Sequence, residues 1–140
     1  MKKVVINVCF GGFGLSKIAE KRYLELCGKD AFFYEQTKYS FRDGEDEYTR
    51  VDPEADTFLS HTVTENYGEK TNNINRGHYW SDYGIARDDP KLVQVVEELG
   101  TSANGECADL KIVEIPDGVA FEISEYDGNE HIAESHRTWR

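Results

Sequence analysis

A short apolar run, Val4-Val5-Ile6-Asn7-Val8-Cys9-Phe10, breaks into Gly11-Gly12-Phe13-Gly14 and re-enters regular structure at Leu15-Ser16. A run this short, β-branched and bounded by glycines reads as a buried strand, Val4 to Phe10. Ser16 is placed to cap a helix in which Leu15, Ile18, Ala19, Tyr23 and Leu26 recur at helical spacing, and Gly28 supplies its stop. A glycine turn between strand and helix can converge backbone N–H groups at the positive helix end, where a phosphate or carboxylate is favoured. Gly11, Gly12, Phe13, Gly14 and Ser16 are therefore candidate ligand-binding residues, with Ser16 and Lys17 as side-chain donors. Plain packing is the competing reading: the glycines permit a tight turn while Phe10 and Phe13 enter the core. The motif is half of a dinucleotide fingerprint, since Lys17 stands where the third glycine belongs, and no phosphate loop of the Gly-Lys-Ser/Thr type occurs.

The elements that follow fill out a β-α-(β-β)-α-β-β-β order. Ala31-Phe32-Phe33-Tyr34 and Tyr39-Ser40-Phe41 are strand-like, Arg42 to Glu47 is an acidic turn, and Tyr48 to Val51 returns. Residues 37–51 are thus predicted to form a two-stranded ribbon. The stretch at about 52–86 is the least regular, and Pro53 to Asp82 within it reads as a long loop. Asp89 caps and Pro90 opens a second helix with a Leu92, Val95, Val96, Leu99 stripe before Gly100. Leu110 to Ile115 and Phe121 to Tyr126 are strands, and Asp127-Gly128 is a two-residue hairpin turn into Asn129–Ser135. The fold class is α/β or α+β: a two-layer mixed β-sheet with two covering helices, in a single domain over residues 1–140.

Charge narrows the partners. The 140 residues hold 16 Lys+Arg against 27 Asp+Glu, a net charge of −11. Such a field repels phosphate backbones, so direct nucleic-acid binding is disfavoured, while basic protein surfaces are attracted. Three widely spaced cysteines, Cys9, Cys27 and Cys107, read as free thiols in a reducing compartment. Neither a signal peptide nor a membrane span is legible, which makes the cytoplasm the expected location.

Two further groups of residues can recognise a ligand. Tyr39-Ser40-Phe41-Arg42-Asp43-Gly44 and the return strand bring Arg42 and Arg50, which can grip an anion bidentately, beside Tyr34, Tyr39 and Tyr48, which can stack on a base. The competing account is a ribbon with one aromatic face and exposed ion pairs. Asn75-Arg76-Gly77-His78-Tyr79-Trp80 is either a recognition patch or a set of anchors for its own loop. The histidines His61, His78, His131 and His136 make no His-x-x-x-His pair, so no metal and no cofactor is expected. Cys9 on a core strand reads as inert packing, and no nucleophile elbow or defined acid/base pair points to catalysis.

Several segments resemble a family of small tailed-bacteriophage proteins, most of them without an assigned function. They are Val4 to Ser16, Tyr39 to Gly44, Arg87 to Gly100, and Leu110 to Trp139 with Glu114-Ile115-Pro116-Asp117, Tyr126-Asp127-Gly128 and His136-Arg137-Thr138-Trp139. At His131-Ile132 the chain departs from the family pattern, which has a tryptophan followed by an aliphatic residue. The resemblance implies a phage accessory protein acting in the bacterial cytoplasm, a class that often counters host immunity. A non-enzymatic binder of a small anionic, nucleotide-type signal is the first expectation, with Gly11, Gly12, Phe13, Gly14, Ser16, Tyr39, Arg42, Tyr48 and Arg50 forming its pocket. The alternative is an acidic nucleic-acid mimic that inhibits a host defence nuclease or CRISPR effector, using Glu45-Asp46-Glu47, Glu97-Glu98 and Glu122/Glu125/Glu130/Glu134. A small enzyme degrading such a signal, and homo-oligomerisation, stay open. The His136–Arg140 segment either docks on the body or meets a partner.

Overall fold

The computed structural model describes residues 1–38, 46–54 and 60–134. In chain order these give β1 (Lys2–Asn7), α1 (Lys17–Leu26), β2 (Phe32–Lys38), β3 (Glu47–Val51), β4 (Ser60–Val63), β5 (Lys70–Thr71), β6 (Tyr79–Trp80), α2 (Pro90–Leu99), β7 (Leu110–Ile115), β8 (Phe121–Tyr126) and β9 (Asn129–Glu134). The chain is an α+β protein, as the element order predicts. All described strand pairs are antiparallel, and they fall into separate sheets. The chain divides into two compact units, Met1–Ala19 with Gly84–Arg140, and Glu20–Tyr83. No described helix is long and apolar enough to cross a membrane.

In the first unit β1 pairs with β7, from Lys2↔Ile115 to Asn7↔Leu110. Val4, Val5, Ile6 and Asn7 are all buried, which fits a strand covered on both faces. The strand stops at Asn7, short of the expected Phe10, and the reason is local. The Asn7 side chain donates to the carbonyls of Cys9 (2.7 Å) and Gly128 (2.8 Å) and accepts from the amides of Cys9 and Asp109. It turns the backbone out of the ladder, as short amide side chains do. Cys9 and Phe10 consequently stand exposed, a correction to their reading as core residues. The helix α2 follows its sequence signals: the Asp89 carboxylate accepts from Lys91 N at 2.9 Å, Pro90 opens the first turn, and Leu92, Val93, Val95 and Val96 are buried. β8 and β9 form the expected hairpin, with Asp127 (φ 50°) and Gly128 (φ 87°) in the left-handed conformations a type I′ turn demands.

The helix α1 ends in a Schellman motif: Gly28 (φ 77°) donates to Glu25 O and Lys29 to Leu24 O. The second unit is a five-stranded sheet in the order β5-β3-β2-β4-β6, with β2 at its centre. The return strand of the predicted 37–51 ribbon is present as β3, but its partner is β2, which runs unbroken from Phe32 to Lys38 and pairs from Phe33 onward; Tyr39-Ser40-Phe41 and the turn to Glu45 lie outside the described residues. The expected loop from Pro53 to Asp82 instead supplies β4, β5 and β6, strands of two to four residues that are too short to show a period. Cross-strand register divides the sheet's faces. On one, Phe33, Thr62 and Trp80 align; Thr62 Oγ1 donates to the Glu20 carboxylate on α1, and Trp80 stacks near Tyr23 at 5.9 Å. On the other, buried Tyr34, Val63 and Ile74 form a small core with Phe32, Tyr48 and Tyr67 packed against it.

Candidate functional site

The glycine turn belongs to the first unit and is filled by its own backbone. Gly11 N donates to Asp127 O at 3.0 Å, and Ser16 N donates to Ala103 O at 2.9 Å. Gly14 O accepts from Gly105 N at 2.9 Å. Glycines meet glycines here: a Cβ on Gly128 would fall 2.2 Å from Gly12 N, and one on Gly105 would fall 2.7 Å from Gly14 C. Only a bare backbone fits at that spacing. The Ser16 hydroxyl donates to Ser102 O (2.6 Å) and accepts from Ala19 N (3.2 Å), so it caps the helix as predicted. The reading of Gly11 and Ser16 amides as anion donors is therefore corrected: both are taken by main-chain carbonyls. Gly12, Phe13 and Gly14 likewise form a seat for the β8–β9 turn and the 103–105 segment.

Phe13 carries a further surprise. The Arg87 guanidinium lies 3.7 Å from its ring centroid. Arg87 donates to both oxygens of Glu130, at 2.6 and 2.8 Å, and Glu130 also accepts from Asn7 N at 2.8 Å. The Glu130 side chain is 5% exposed, so this acid is a buried, bidentately paired group rather than part of an acidic surface. Sequence reasoning missed both partners. The available signal was the hairpin alternation, which puts Glu130 two residues from Ile132 and hence on the same, inward face.

Tyr48 and Arg50 belong to the second unit, on the sheet face that carries Tyr34; Tyr39 and Arg42 lie outside the described residues. The register Tyr34↔Arg50, Gln36↔Tyr48, Tyr34↔His61 and Val63↔Tyr79 sets these side chains on one surface. Arg50 Nη2 donates to the Tyr34 hydroxyl (3.0 Å) and to Asn66 Oδ1, and the guanidinium lies 4.7 Å from the Phe32 ring centroid. Its Nε is buried with no hydrogen-bond partner, and among the described residues no carboxylate pairs with it. The Tyr34 hydroxyl donates to Gly68 O (2.8 Å) and accepts from Tyr67 N (3.0 Å) as well.

The loop above this face adds Tyr67, whose hydroxyl accepts from Asn75 N (3.0 Å) and hydrogen-bonds His78 Nδ1. Tyr79 completes the surface, edge-on to His61 at 5.6 Å. Burial, then a hydrogen bond that the Tyr79 hydroxyl donates to Tyr48 and the neighbouring charges, Asp46 among them, push the Tyr79 phenol up to about 12. In the segment Asn75 to Trp80, Trp80 anchors on Tyr23 and His78 on Tyr67, which is the anchoring part of its expected roles. Among the described residues no cluster of three His, Cys, Asp or Glu could hold a metal ion. Comparison with family models, curated proteins and solved structures yields no match to this chain.

Proposed function

We propose that the protein binds a small anionic ligand bearing an aromatic ring, of nucleotide type, on the Arg50 face of its five-stranded sheet. The supporting observation is the state of Arg50: in a chain of net charge −11, its guanidinium has, among the described residues, only neutral partners and a buried Nε without an acceptor. A partly buried cation and an unsatisfied buried N–H are each unfavourable, and one phosphate or carboxylate oxygen relieves both. The anion would displace exposed Asn66 from Nη2 and, as that cover opens, take Nε as well, which restores the bidentate fork. Tyr48, Tyr79 and His61 offer ring faces for a base beside it. No residue here is assigned a bond-breaking role, so the reading is sequestration rather than catalysis. Sequestering a nucleotide signal is a role in keeping with an accessory protein of the phage family that the sequence resembles, acting against host immunity in the bacterial cytoplasm.

Calorimetry and thermal melting with cyclic, linear and ADP-ribose-type nucleotides test this. A ligand at one hundred times its Kd adds about 2.7 kcal/mol of stability, and Arg50→Gln removes the shift. If no nucleotide moves the melting point of the wild-type chain, the reading fails. The alternative, docking of an acidic surface on a basic host defence protein, draws on Glu97, Glu98, Glu122, Glu125 and Glu134, which are exposed; Glu47 is half-buried and held by Lys38 and Lys70.

A further inference from the structure

We infer that the outer rim of the glycine seat is a docking surface for an arginine-bearing segment of a basic protein. The inference sharpens the acidic-docking alternative and is independent of the Arg50 face. Phe10 is 57% exposed and Tyr126 79% exposed, and their rings meet edge to face at 6.4 Å. Two large rings left in solvent side by side are unfavourable for an isolated chain and characteristic of recognition hot spots. The backbone beneath them is tied together. Gly11 N bonds Asp127 O, Gly128 lies against Gly12, and the Asn7 amide ties Gly128 O to the end of β1. The glycine turn therefore builds this ledge instead of holding an anion.

The surrounding charge names the occupant. Asp127 follows Tyr126 in the turn, and Glu106 adjoins Cys107, whose Cβ would sit 2.6 Å from a Cβ on Gly11. Both carboxylates are exposed, and among the described residues neither pairs with a cation. Aromatic faces bordered by acceptor-only carboxylates match a guanidinium, which stacks through its plane and donates through its edge. Lysine, a compact and strongly hydrated charge, matches less well. A second copy of this chain is repelled by the −11 net charge.

Fluorescence anisotropy with a synthetic peptide alternating arginine and leucine, compared with its lysine counterpart, measures this directly. The arginine peptide is expected to bind more tightly, and Tyr126→Ala to weaken it about tenfold, the loss that removing a hot-spot aromatic commonly causes. Phe10→Ala is expected to weaken it similarly, and Asp127→Asn, which keeps the left-handed turn, less. Amide shifts on titration should map to residues 8–12 and 125–128. Arg50→Gln should leave the affinity unchanged, so failure here and failure of the nucleotide reading are separable. Equal affinity for the Phe10→Ala/Tyr126→Ala double variant, or no binding by the wild type, overturns the proposal.

Discussion

Two arginines, one in each compact unit, sit in opposite electrostatic conditions. Arg87 lies over the Phe13 ring and is neutralised by both oxygens of buried Glu130, which also accepts the Asn7 amide. Arg50 lies over Phe32 and is met by a phenol and an amide oxygen, with no described carboxylate and a buried Nε left unsatisfied. Both are stacked, partly buried guanidinium groups, so burial does not distinguish them. The difference is the counter-charge. A cation whose pairing is complete within the fold acts as a structural tie. One left with neutral partners carries an unmet demand for an anion, and that demand is the basis of the ligand-binding reading.

The sharpest way to break the comparison is to unpair Arg87. Arg87→Ala leaves the Glu130 carboxylate buried without its cation and is expected to cost about 3–5 kcal/mol, read by urea denaturation. A small loss would mean that the tie is no tie. Next in size is Gly128→Ala, which adds a Cβ 2.2 Å from Gly12 N at a φ of 87°. The hairpin must lift, at a cost of roughly 2 kcal/mol or more, and Tyr126 should lose its edge contact with Phe10.

Arg50→Met is expected to do the reverse of the Arg87 change. The Tyr34 hydroxyl keeps Gly68 and Tyr67 as partners and an uncompensated cation disappears, so stability should move by less than about 1 kcal/mol while nucleotide binding is lost. A large destabilisation would make Arg50 structural and erase the contrast. The smallest expected effect is alkaline. The Tyr79 phenol is raised from 10.0 to about 12, so the folded chain holds that proton where the unfolded chain has released it. Its contribution to stability is complete below pH 10 and falls away as pH rises through about 12. Spectrophotometric titration should show a late-ionising phenol that is lost in Tyr79→Phe.

Much of the frame was legible along the chain because its signals are local. Ser16 and Asp89 cap their helices, Gly28 ends the first one, and Asp127-Gly128 turns the hairpin, each through groups within a few residues. The return strand that carries Tyr48 and Arg50 was also legible, because it follows a turn signal directly. The short strands β4, β5 and β6 were not, since two to four residues carry no period and are held by their neighbours in the sheet.

What the amino-acid order determined by itself was therefore the α+β content, the caps and turns, and the chemistry on offer: acidic overall, with seven arginines beside eight tyrosines. Tertiary structure decided how that chemistry was used. It closed the glycine turn, since the carbonyls that took its amides come from residues 103 and 127, far along the chain. It turned Glu130 inward to Arg87 and left Arg50 without a described acid, because counter-charge depends on which distant side chains the fold brings within reach. Local sequence sets conformational preference, whereas pairing and desolvation are properties of neighbours in space.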